Sequence, residues 1–274
     1  MNAPVRISVV IPAYNEASRI ADPIRRIASY LAGRDETCEL IVVDDGSSDG
    51  TAEVLREIAP DLPVRCRVLR YGDNRGKGHA LKIGFAHATG ECILLSDADL
   101  STPIEEFDRL YERIEAGHDI AIGSRKMPGA QVTIRQPFVR ERLGKVFTWL
   151  SNLLIAEVSD VTCGFKLYRG AVGRDLFGHA RIDNWSFDAE ILYLARIRRH
   201  RLAEVPVRWH DEPGTKVSLL RDGLVSGFDL LRIRWNGFRG HYGRPVESDA
   251  RVEELALPRS PDLDAPPSSA AART

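Results

Sequence analysis

The sequence is poor in cysteine, has no long apolar run and carries almost no net charge. Its four cysteines are scattered without a Cys-x-x-Cys pair, which argues against both a zinc site and a disulfide framework. No uninterrupted apolar stretch approaches the ~18 residues that a membrane-spanning helix requires. The formal net charge of -1 gives no overall attraction to nucleic acid, so we expect no nucleic-acid partner.

The N-terminus also lacks a basic segment followed by an apolar core, so the sequence predicts no signal peptide. Unpaired cysteines fit a reducing compartment. Together these absences predict a cytoplasmic protein that is either soluble or peripheral at the inner face of the cell membrane. What is present is an ordinary globular composition, with 274 residues of which 43% are hydrophobic and 28% are charged.

Apolar runs alternate with helical patterns through the first half of the chain. Strands are predicted at 6–11, 39–43, 64–69, 92–95 and 120–123, and helices at 17–31, 51–58, 79–88 and 103–115. The strands are nearly continuous apolar runs, which is typical of a parallel sheet covered on both faces. The pattern predicts an α/β fold with a mostly parallel central sheet flanked by helices, similar to a Rossmann fold.

The second half has a weaker pattern, with helices predicted at 138–155, 186–196 and 220–235 and a strand at 203–209. Arginines flank the apolar faces of the first and third of these helices. Those two helices are predicted either to lie on a membrane surface or to pack in the core or a homodimer interface.

The end of the chain, residues 244–274, is rich in proline, alanine, serine and acidic residues. This composition predicts a disordered tail. We therefore expect a single domain over 1–243, made of a first half at 5–125 and a second half at 126–243.

Polar motifs follow three of the predicted strands, at the point where each strand ends. They are Pro12–Glu16, Asp44–Ser47 and Asp97–Asp99. Ligands of open parallel sheets bind outside the carboxyl ends of the strands. The sequence therefore predicts that these three motifs line one cleft.

Asp97 and Asp99, with Ala98 between them, follow a buried apolar run. Two carboxylates at this point suit a divalent cation that carries a diphosphate, and hard oxygen ligands favour Mg²⁺ or Mn²⁺. We assign Asp99 to direct coordination, and Asp97 either to the metal through water or to a ribose. The alternative is an acidic loop in which Asp99 caps the next helix.

Asp44 is suited to accept a hydrogen bond from the imide nitrogen of a base, whereas Asp45 is equally suited to brace the turn. Pro12, Tyr14 and Glu16 are predicted to form the opposite wall, with Tyr14 beside the base. Glu16 is either near the base or ribose or a first-turn helix carboxylate.

A glycine-rich stretch, Asn74–Gly78, precedes the third predicted helix. Basic side chains in front of a helix N-terminus favour anions. The stretch lacks the spacing of a P-loop, so it is either a phosphate cradle that includes Lys77 or a flexible turn.

These motifs together resemble the inverting family 2 glycosyltransferases, and within them the polyprenyl-phosphate sugar synthases. The segments that carry this resemblance are Val10–Glu16, Val43–Ser47, Gly76–Gly78 and Asp97–Ser101. Later segments look like the dolichyl-phosphate glucosyltransferase branch, namely Gly123–Arg125, Thr162–Tyr168, Trp185–Glu190 and Gly214–Lys216. The mannosyl branch tends to carry Gly-Ser-Phe-Arg where this chain has Cys163–Lys166.

The resemblance implies a GT-A fold, a divalent metal and a UDP-sugar donor, with UDP-glucose expected. It makes 5–125 the half that binds the nucleotide sugar and 126–243 the half that binds the acceptor. The donor-binding residues it implies are Pro12, Tyr14, Glu16, Val42, Asp44, Lys77, Asp97, Ala98, Arg125 and Lys216.

The acceptor is expected to be a polyprenyl phosphate, which is ionised at neutral pH and needs no general base. Arg125, Lys166 and Lys216 are the candidates to bind its phosphate. A hydroxyl acceptor, such as a phosphorylated small molecule or a glycan, would instead need a carboxylate base. Asp188 and Glu190 are the candidates for that base and join Asp99 in the catalytic set. Two further hypotheses are a GDP-mannose-dependent synthase and a silent module that only binds a nucleotide sugar.

Overall fold

The structure is a computed structural model that describes residues 4–133, 148–155, 157–210, 219–246 and 248–256. The strands are β1 (Ile7–Ala13), β2 (Cys38–Asp44), β3 (Arg65–Arg70), β4 (Cys92–Leu95), β5 (Ile120–Ser124), β6 (Gln131–Val132), β7 (Lys166–Arg169), β8 (Leu202–Pro206), β9 (Arg208–Trp209) and β10 (Glu253–Glu254).

The helices lie between these strands along the chain. They are α1 (Ala21–Ala32), α2 (Thr51–Ile58), α3 (Lys77–His87), α4 (Phe107–Glu115), α5 (148–154), α6 (Gly170–His179), α7 (Phe187–Ile197) and α8 (Leu219–Phe238). Short 3₁₀ helices occupy Ala59–Asp61, Ile104–Glu106 and His241–Gly243.

Eight of the strands form one sheet in the order β10-β3-β2-β1-β4-β7-β5-β8, and β6 pairs with β9 separately. β1 runs parallel to both β2 and β4, β2 runs parallel to β3, and β5 runs parallel to β8. β7 and β10 are antiparallel to their neighbours. The predicted α/β fold with a mostly parallel central sheet is confirmed.

A hydrophobic core covers each face of the sheet. One core includes Ile24 of α1, Leu55 of α2 and Leu110 of α4. The other includes Leu81 of α3 and Leu194 of α7. Because consecutive residues of a strand point to opposite faces, a strand that is buried on both sides is largely apolar, as β4 is.

The strand order reverses between β1 and β4. From β1 the chain passes outward to β2 and β3, and then returns to the other side of β1 to form β4. The loops that follow β1 and β4 therefore diverge and leave a crevice at the carboxyl edge, where ligands of such sheets bind. The amide of Asp45 donates to the carbonyl of Ala13 at 2.8 Å and so holds the loop after β2 at the same edge.

Among the strands and α-helices of the second half, β6, β7 and α6 have no counterpart in the sequence prediction. β7 is four residues long and both begins and ends with a cation, so it shows neither an apolar run nor alternation. Its place between β4 and β5 is set by pairing with those strands rather than by local propensity. The strand predicted at 203–209 is divided into β8 and β9.

The remaining helices of the second half lie close to their predicted positions. α7 and α8 match the helices predicted at 186–196 and 220–235. Of the helix predicted at 138–155, residues 138–147 lie outside the described residues, and 148–154 are helical. None of the helices in the described parts of the chain combines the length and the apolar content that a bilayer-spanning segment needs.

The segment that begins at 244 was predicted to be a disordered tail, but part of it packs on the sheet. β10 pairs with β3, the amide of Leu255 donates to the carbonyl of Val68 at 2.9 Å, and Leu255 is buried. Arg67 also pairs with Glu254 at 2.8 Å. This stretch covers what would otherwise be an open sheet edge. Residues 257–274 lie outside the described residues.

Candidate functional site

The loop after β4 carries Asp97 and Asp99 into the crevice. The Asp99 Oδ1 atom accepts a hydrogen bond from the amide of Ser101 at 3.0 Å, which shapes its own loop. The next helical turn begins only at Ile104, so Asp99 is not the cap of that turn. Asp97 contacts the ammonium group of Lys77. The structure therefore brings both predicted metal ligands and Lys77 into one cluster.

The surroundings of Asp99 disfavour its negative charge. Burial raises its pKa, and the nearby carboxylate of Asp97 raises it further, although the amide of Ser101 and the charge of Lys77 act in the opposite direction. Two carboxylates that repel each other at a partly buried position form a site that a divalent cation would stabilise. Ala98, between them, is buried and packs in the core.

Lys77 is the first residue of α3 and lies in an aromatic setting. Its Nζ atom is 5.3 Å from the ring centroid of Trp185 and 5.7 Å from that of Phe187. Burial lowers the pKa of Lys77, but Asp97 and Asp188 outweigh that effect and the pKa is raised. The ammonium group is therefore a fixed positive charge in the cleft.

Asp45 braces the glycine-rich loop, as one of its two predicted roles requires. Its carboxylate accepts hydrogen bonds from the amides of Arg75 and Gly76 at 2.8 and 2.9 Å. It also accepts from the Tyr71 hydroxyl at 2.7 Å and from the Asn74 side chain at 2.8 Å. These amides are not available as a phosphate cradle, so Lys77 provides the charge of this loop through its side chain.

Asp44, at the end of β2, is fully buried. Its Oδ1 atom accepts a hydrogen bond from the amide of Ser47 at 3.0 Å. Its Oδ2 atom lies 3.2 Å from Arg70 Nε, yet no hydrogen bond to Oδ2 has acceptable geometry. A buried carboxylate oxygen without a hydrogen bond retains the capacity to accept one from a ligand.

The opposite wall is formed by the residues that end β1. Pro12 is in register with Val43, and Tyr14 is 37% exposed. Glu16 is buried, pairs with Arg19 through both carboxylate oxygens, and is linked to α2 because its amide donates to Thr51 Oγ1 at 2.8 Å. Tyr14 is therefore the side chain of this wall that reaches solvent, whereas Glu16 is engaged within the protein.

Val42 is the predicted donor-binding residue that the structure does not bring to the cleft. Its side chain is fully buried in one of the two cores. It lies two positions before Asp44 in β2 and packs against the layer of helices on that face. Val42 therefore stabilises the strand within the core and does not line the cleft.

Lys166 and Asp188 form a buried ion pair, although they were predicted as an acceptor-binding cation and a catalytic carboxylate. Lys166 Nζ donates to Asp188 Oδ1 at 2.5 Å and to the carbonyl of Cys163 at 2.6 Å, and Lys166 is 1% exposed. Burial raises the pKa of Asp188, with Lys166 and Lys77 opposing it. Both side chains of the pair are buried, and the charges of Lys77 and Asp97 act on Asp188.

Glu190 likewise has structural partners at both carboxylate oxygens. Oε2 accepts from the amides of Arg181 and Ile182 at 2.8 and 2.7 Å, and Oε1 accepts from the Tyr242 hydroxyl at 2.7 Å. Glu190 is fully buried, and burial raises its pKa. Its contacts tie α7 to the preceding loop and to the segment that follows α8.

Arg125 is paired side by side with Asp160. Its Nε and Nη2 atoms lie 2.6 and 2.7 Å from the two oxygens of Asp160, and Nη2 also donates to Thr162 at 3.0 Å. Burial raises the pKa of Asp160, but the charge and hydrogen bonds of Arg125 outweigh it and the pKa is lowered. Lys216, the other predicted phosphate-binding cation, lies outside the described residues.

Sequence reasoning did not identify two of the contacts that shape the cleft. Gly164 packs on Asp97 so closely that an added Cβ atom would lie 1.9 Å from Asp97 Oδ2. Trp185 packs against Lys77. Both residues belong to motifs that carry the family resemblance, which was the available signal. Nothing local marks their partners, because each contact joins segments distant in the chain.

In the parts of the chain that are described, the side chains do not form a cluster that could enclose a metal ion by themselves. No group of three or more His, Cys, Asp or Glu side chains in these parts is arranged to hold a metal. Mg²⁺ is commonly held by one or two carboxylates, with water and substrate phosphates completing its shell. Asp97 and Asp99 fit that donor set.

Comparisons with known proteins agree with this architecture. The model of the glycosyl transferase family 2 matches residues 8–177. A dolichyl-phosphate beta-glucosyltransferase of Trichomonas vaginalis is 36% identical over 84% of this chain and 71% of its own length. The dolichyl-phosphate beta-glucosyltransferase of Saccharomyces cerevisiae is 32% identical over 86% of this chain and 76% of its own length.

A solved structure shares the fold at low identity. It is the glucosyl-3-phosphoglycerate synthase of Mycobacterium tuberculosis in complex with Mn²⁺, UDP-glucose and phosphoglyceric acid. It matches with a TM-score of 0.59 and 17% identity, over 93% of this chain and 88% of that one. The structural neighbours are GT-A glycosyltransferases, as expected from the motifs. The chain belongs to glycosyl transferase family 2, and it is a glycosyltransferase similar to the dolichyl-phosphate beta-glucosyltransferases.

Proposed function

We propose that this chain transfers glucose from UDP-glucose to a polyprenyl phosphate with inversion at the anomeric carbon, aided by Mg²⁺ or Mn²⁺. The family and its curated relatives support the reaction class and the lipid phosphate acceptor. The donor and the metal are the finer part of the proposal, and they rest on the residues of the cleft.

Asp44 supports a pyrimidine nucleotide as the donor. Its Oδ2 atom is buried beside Arg70 without a hydrogen bond. An imide N–H of a base would satisfy this oxygen once Arg70 shifts, and Tyr14 on the opposite wall offers a ring for stacking. Arg70, which is about one third exposed, has room to make that shift.

Asp97 and Asp99 would hold the metal ion. When bound, it would neutralise the charge that develops on the departing diphosphate. Asp99 supplies the carboxylate whose charge is disfavoured by burial and by Asp97. Lys77 contacts Asp97 and adds a second positive charge to the cleft, which favours an anionic donor.

The choice of acceptor rests on one observation, which is that Asp188 and Glu190 already have partners within the protein. A hydroxyl acceptor requires a base that is free to take its proton. Asp188 is paired with the buried Lys166, and Glu190 accepts three hydrogen bonds from the protein. A phosphate acceptor is already ionised and needs no such base. We therefore favour the lipid phosphate over a hydroxyl.

The acceptor phosphate still requires cations near the sugar. Arg125 is proposed for this role. Asp160 holds its Nε and Nη2 atoms, but the side chain remains 18% exposed, against 1% for Lys166, and its guanidinium lies close enough to Asp97 to be influenced by that charge. Lys216 is retained in the proposal as well. Lys166 is not, because its ammonium is buried and already held by Asp188 and a carbonyl.

The test is transfer of radiolabelled glucose from UDP-glucose to a short-chain prenyl phosphate, with and without Mg²⁺ or Mn²⁺. We expect a lipid product that depends on the metal and is lost in Asp99→Asn. Parallel assays offer GDP-mannose as donor and 3-phosphoglycerate as a hydroxyl acceptor. Transfer to the hydroxyl alone, or from GDP-mannose alone, would contradict the proposal. Donor binding with no transfer to any acceptor would indicate a silent binding module.

A further inference from the structure

Helix α8 exposes large apolar side chains on the side that faces away from the protein. Phe228 is 73% exposed, Leu231 58%, Trp235 55% and Phe238 83%. At 3.6 residues per turn, these four positions lie along one stripe of the helix, which we call the α8 outer stripe. A contiguous row of exposed bulky apolar side chains is typical of a surface that binds a protein, a membrane or a ligand.

The other side of α8 already packs on the protein. Leu230 and Ile233 are fully buried in the core, and Asp229 is buried and accepts a hydrogen bond from the Asn184 side chain at 2.8 Å. The helix is therefore attached without help from the outer stripe. Packing among the residues that the structure describes does not account for the stripe.

The charges around the stripe have one sign. Arg232 and Arg239 lie along one edge of the stripe and Arg234 along the other, and all three are exposed. Asp229 is the acidic residue between 225 and 240, and it faces inward. The outer face of this part of α8 thus presents apolar and cationic groups without a carboxylate.

The arginines are also placed against aromatic rings. The guanidinium of Arg239 lies 4.9 Å from the ring centroid of Trp235, and that of Arg234 lies 5.8 Å from that of Tyr193. A cation stacked beside an exposed indole is suited to the boundary between headgroups and acyl chains, where one end of the side chain is apolar and the other is wet.

The stripe is connected to the cleft through α8. Asn184, which bonds to Asp229, directly precedes Trp185, and the Trp185 ring lies 5.3 Å from Lys77 Nζ. A surface that held α8 would therefore lie within a few residues of the site where the donor is proposed to bind.

We propose that the α8 outer stripe docks on an anionic lipid bilayer, with its apolar side chains among the acyl chains and its arginines on headgroup phosphates. This deepens the proposed function and rests on it, because the tail of a polyprenyl phosphate lies in the bilayer. The charge pattern selects this occupant: an apolar row flanked by cations matches an anionic lipid surface.

The experiment is co-sedimentation of the full chain with vesicles of phosphatidylcholine, with and without phosphatidylglycerol, at low and high salt. We expect binding that requires phosphatidylglycerol and weakens with salt. Phe228→Glu should weaken it about tenfold or more, because an apolar group is removed and a repelled charge is added. Arg232→Glu should weaken it about 25-fold, since loss of one basic charge near the surface costs about fivefold and the added negative charge costs about fivefold again.

Matched controls separate the stripe from general surface effects. Ile197→Glu changes an apolar side chain that is 46% exposed on α7, and Arg25→Glu reverses an exposed charge on α1. Both should bind vesicles like the wild type. Equal loss in the controls, or no wild-type binding, would overturn the proposal. A wild-type dimer that Phe228→Glu dissociates, without vesicle binding, would instead assign the stripe to a second copy.

Activity distinguishes failure of this inference from failure of the proposed function. Phe228→Glu should retain transfer to a water-soluble short-chain prenyl phosphate and lose transfer to a long polyprenyl phosphate in vesicles. Equal loss with both acceptors would contradict membrane docking. If the wild type bound vesicles but transferred glucose to neither acceptor, the transfer function would fail and the docking surface would stand.

Discussion

The acidic pair after β4 in the first half and the acids of α7 and its surroundings in the second half are used in opposite ways. In the first half, Asp97 and Asp99 end a strand close to each other, and their mutual repulsion helps to raise the pKa of Asp99. In the second half, the acids meet partners within the protein. Lys166 pairs with Asp188, and Arg125 pairs with Asp160.

This contrast separates residues that can bind a ligand from residues that stabilise the fold around them. Asp99, which the neighbouring carboxylate of Asp97 repels, can gain energy from a bound cation, whereas Asp188 already has its cationic partner inside the protein. The first half therefore supplies the reactive edge, and the second half holds that edge in shape. Gly164, which packs on Asp97, is one of the points where the second half touches the first. The following predictions test this division, beginning with the largest expected effect.

Asp99→Asn should lower the rate of glucosyl transfer about a thousandfold, because it removes a carboxylate that would hold the metal. The unfolding free energy should not fall, since burial and Asp97 already disfavour the charge of Asp99. Transfer assays and urea denaturation measure the two effects. Asp61→Asn, an exposed acid outside the cleft, is the control. A variant that loses stability together with activity would place Asp99 among the supporting residues.

Lys166→Met should lower the unfolding free energy by about 3 to 5 kcal/mol, because it leaves Asp188 buried without its partner. The double variant Lys166→Met with Asp188→Leu should recover much of that loss. Urea denaturation measures both. Arg25→Met, which breaks an exposed pair with Asp22, should change stability by about 0.5 kcal/mol or less. A stable Lys166→Met variant would contradict the supporting role.

Gly164→Ala should lower kcat/KM for the donor about tenfold to a hundredfold. The added Cβ atom would lie 1.9 Å from Asp97 Oδ2 and must displace that carboxylate. Gly178→Ala is the control, since no atom lies within 4 Å of its added Cβ. Steady-state kinetics with both variants make the comparison. Unchanged kinetics for Gly164→Ala would show that the position of Asp97 is not critical.

Glu190→Gln should cost about 1 to 2 kcal/mol of unfolding free energy and change the transfer rate little. The physical reason is that Glu190 accepts hydrogen bonds from Ile182 and Tyr242, and an amide replaces these only in part. Thermal or urea unfolding and the transfer assay are run on the same preparation. A loss of a hundredfold or more in rate at unchanged stability would restore Glu190 as a base.

Asp183→Asn should lower the unfolding free energy by about 1 kcal/mol at neutral pH, a value reduced by solvent screening of a half-exposed group. Burial raises the pKa of Asp183, but hydrogen bonds with His79 and Lys82 outweigh it and bring the pKa to about 2. Because its pKa is lowered, Asp183 stabilises the fold at pH values above its ordinary pKa of 3.8. This contribution is lost as the pH falls towards 2. The difference between variant and wild type, measured by unfolding across this range, should vanish at the acid end.

Much of the first half could be predicted because its signals are local. β4 and α2 lie where the sequence placed them, since an apolar run and a helical repeat each stand out against the polar loops beside them. The grouping of the three motifs at one edge followed from the geometry of parallel sheets. β7 could not be found in this way, because its pairing partners, and not its own four residues, make it a strand.

The roles of individual charges show the same limit. The sequence alone identified Asp97 and Asp99, the α/β fold and the family resemblance, because each is written in a short run of residues. It did not reveal that Lys166 would close on Asp188 or that Glu190 would accept hydrogen bonds from the backbone of Ile182. Only the tertiary structure decided these contacts, since the desolvation and pairing of a charge depend on which distant segments surround it.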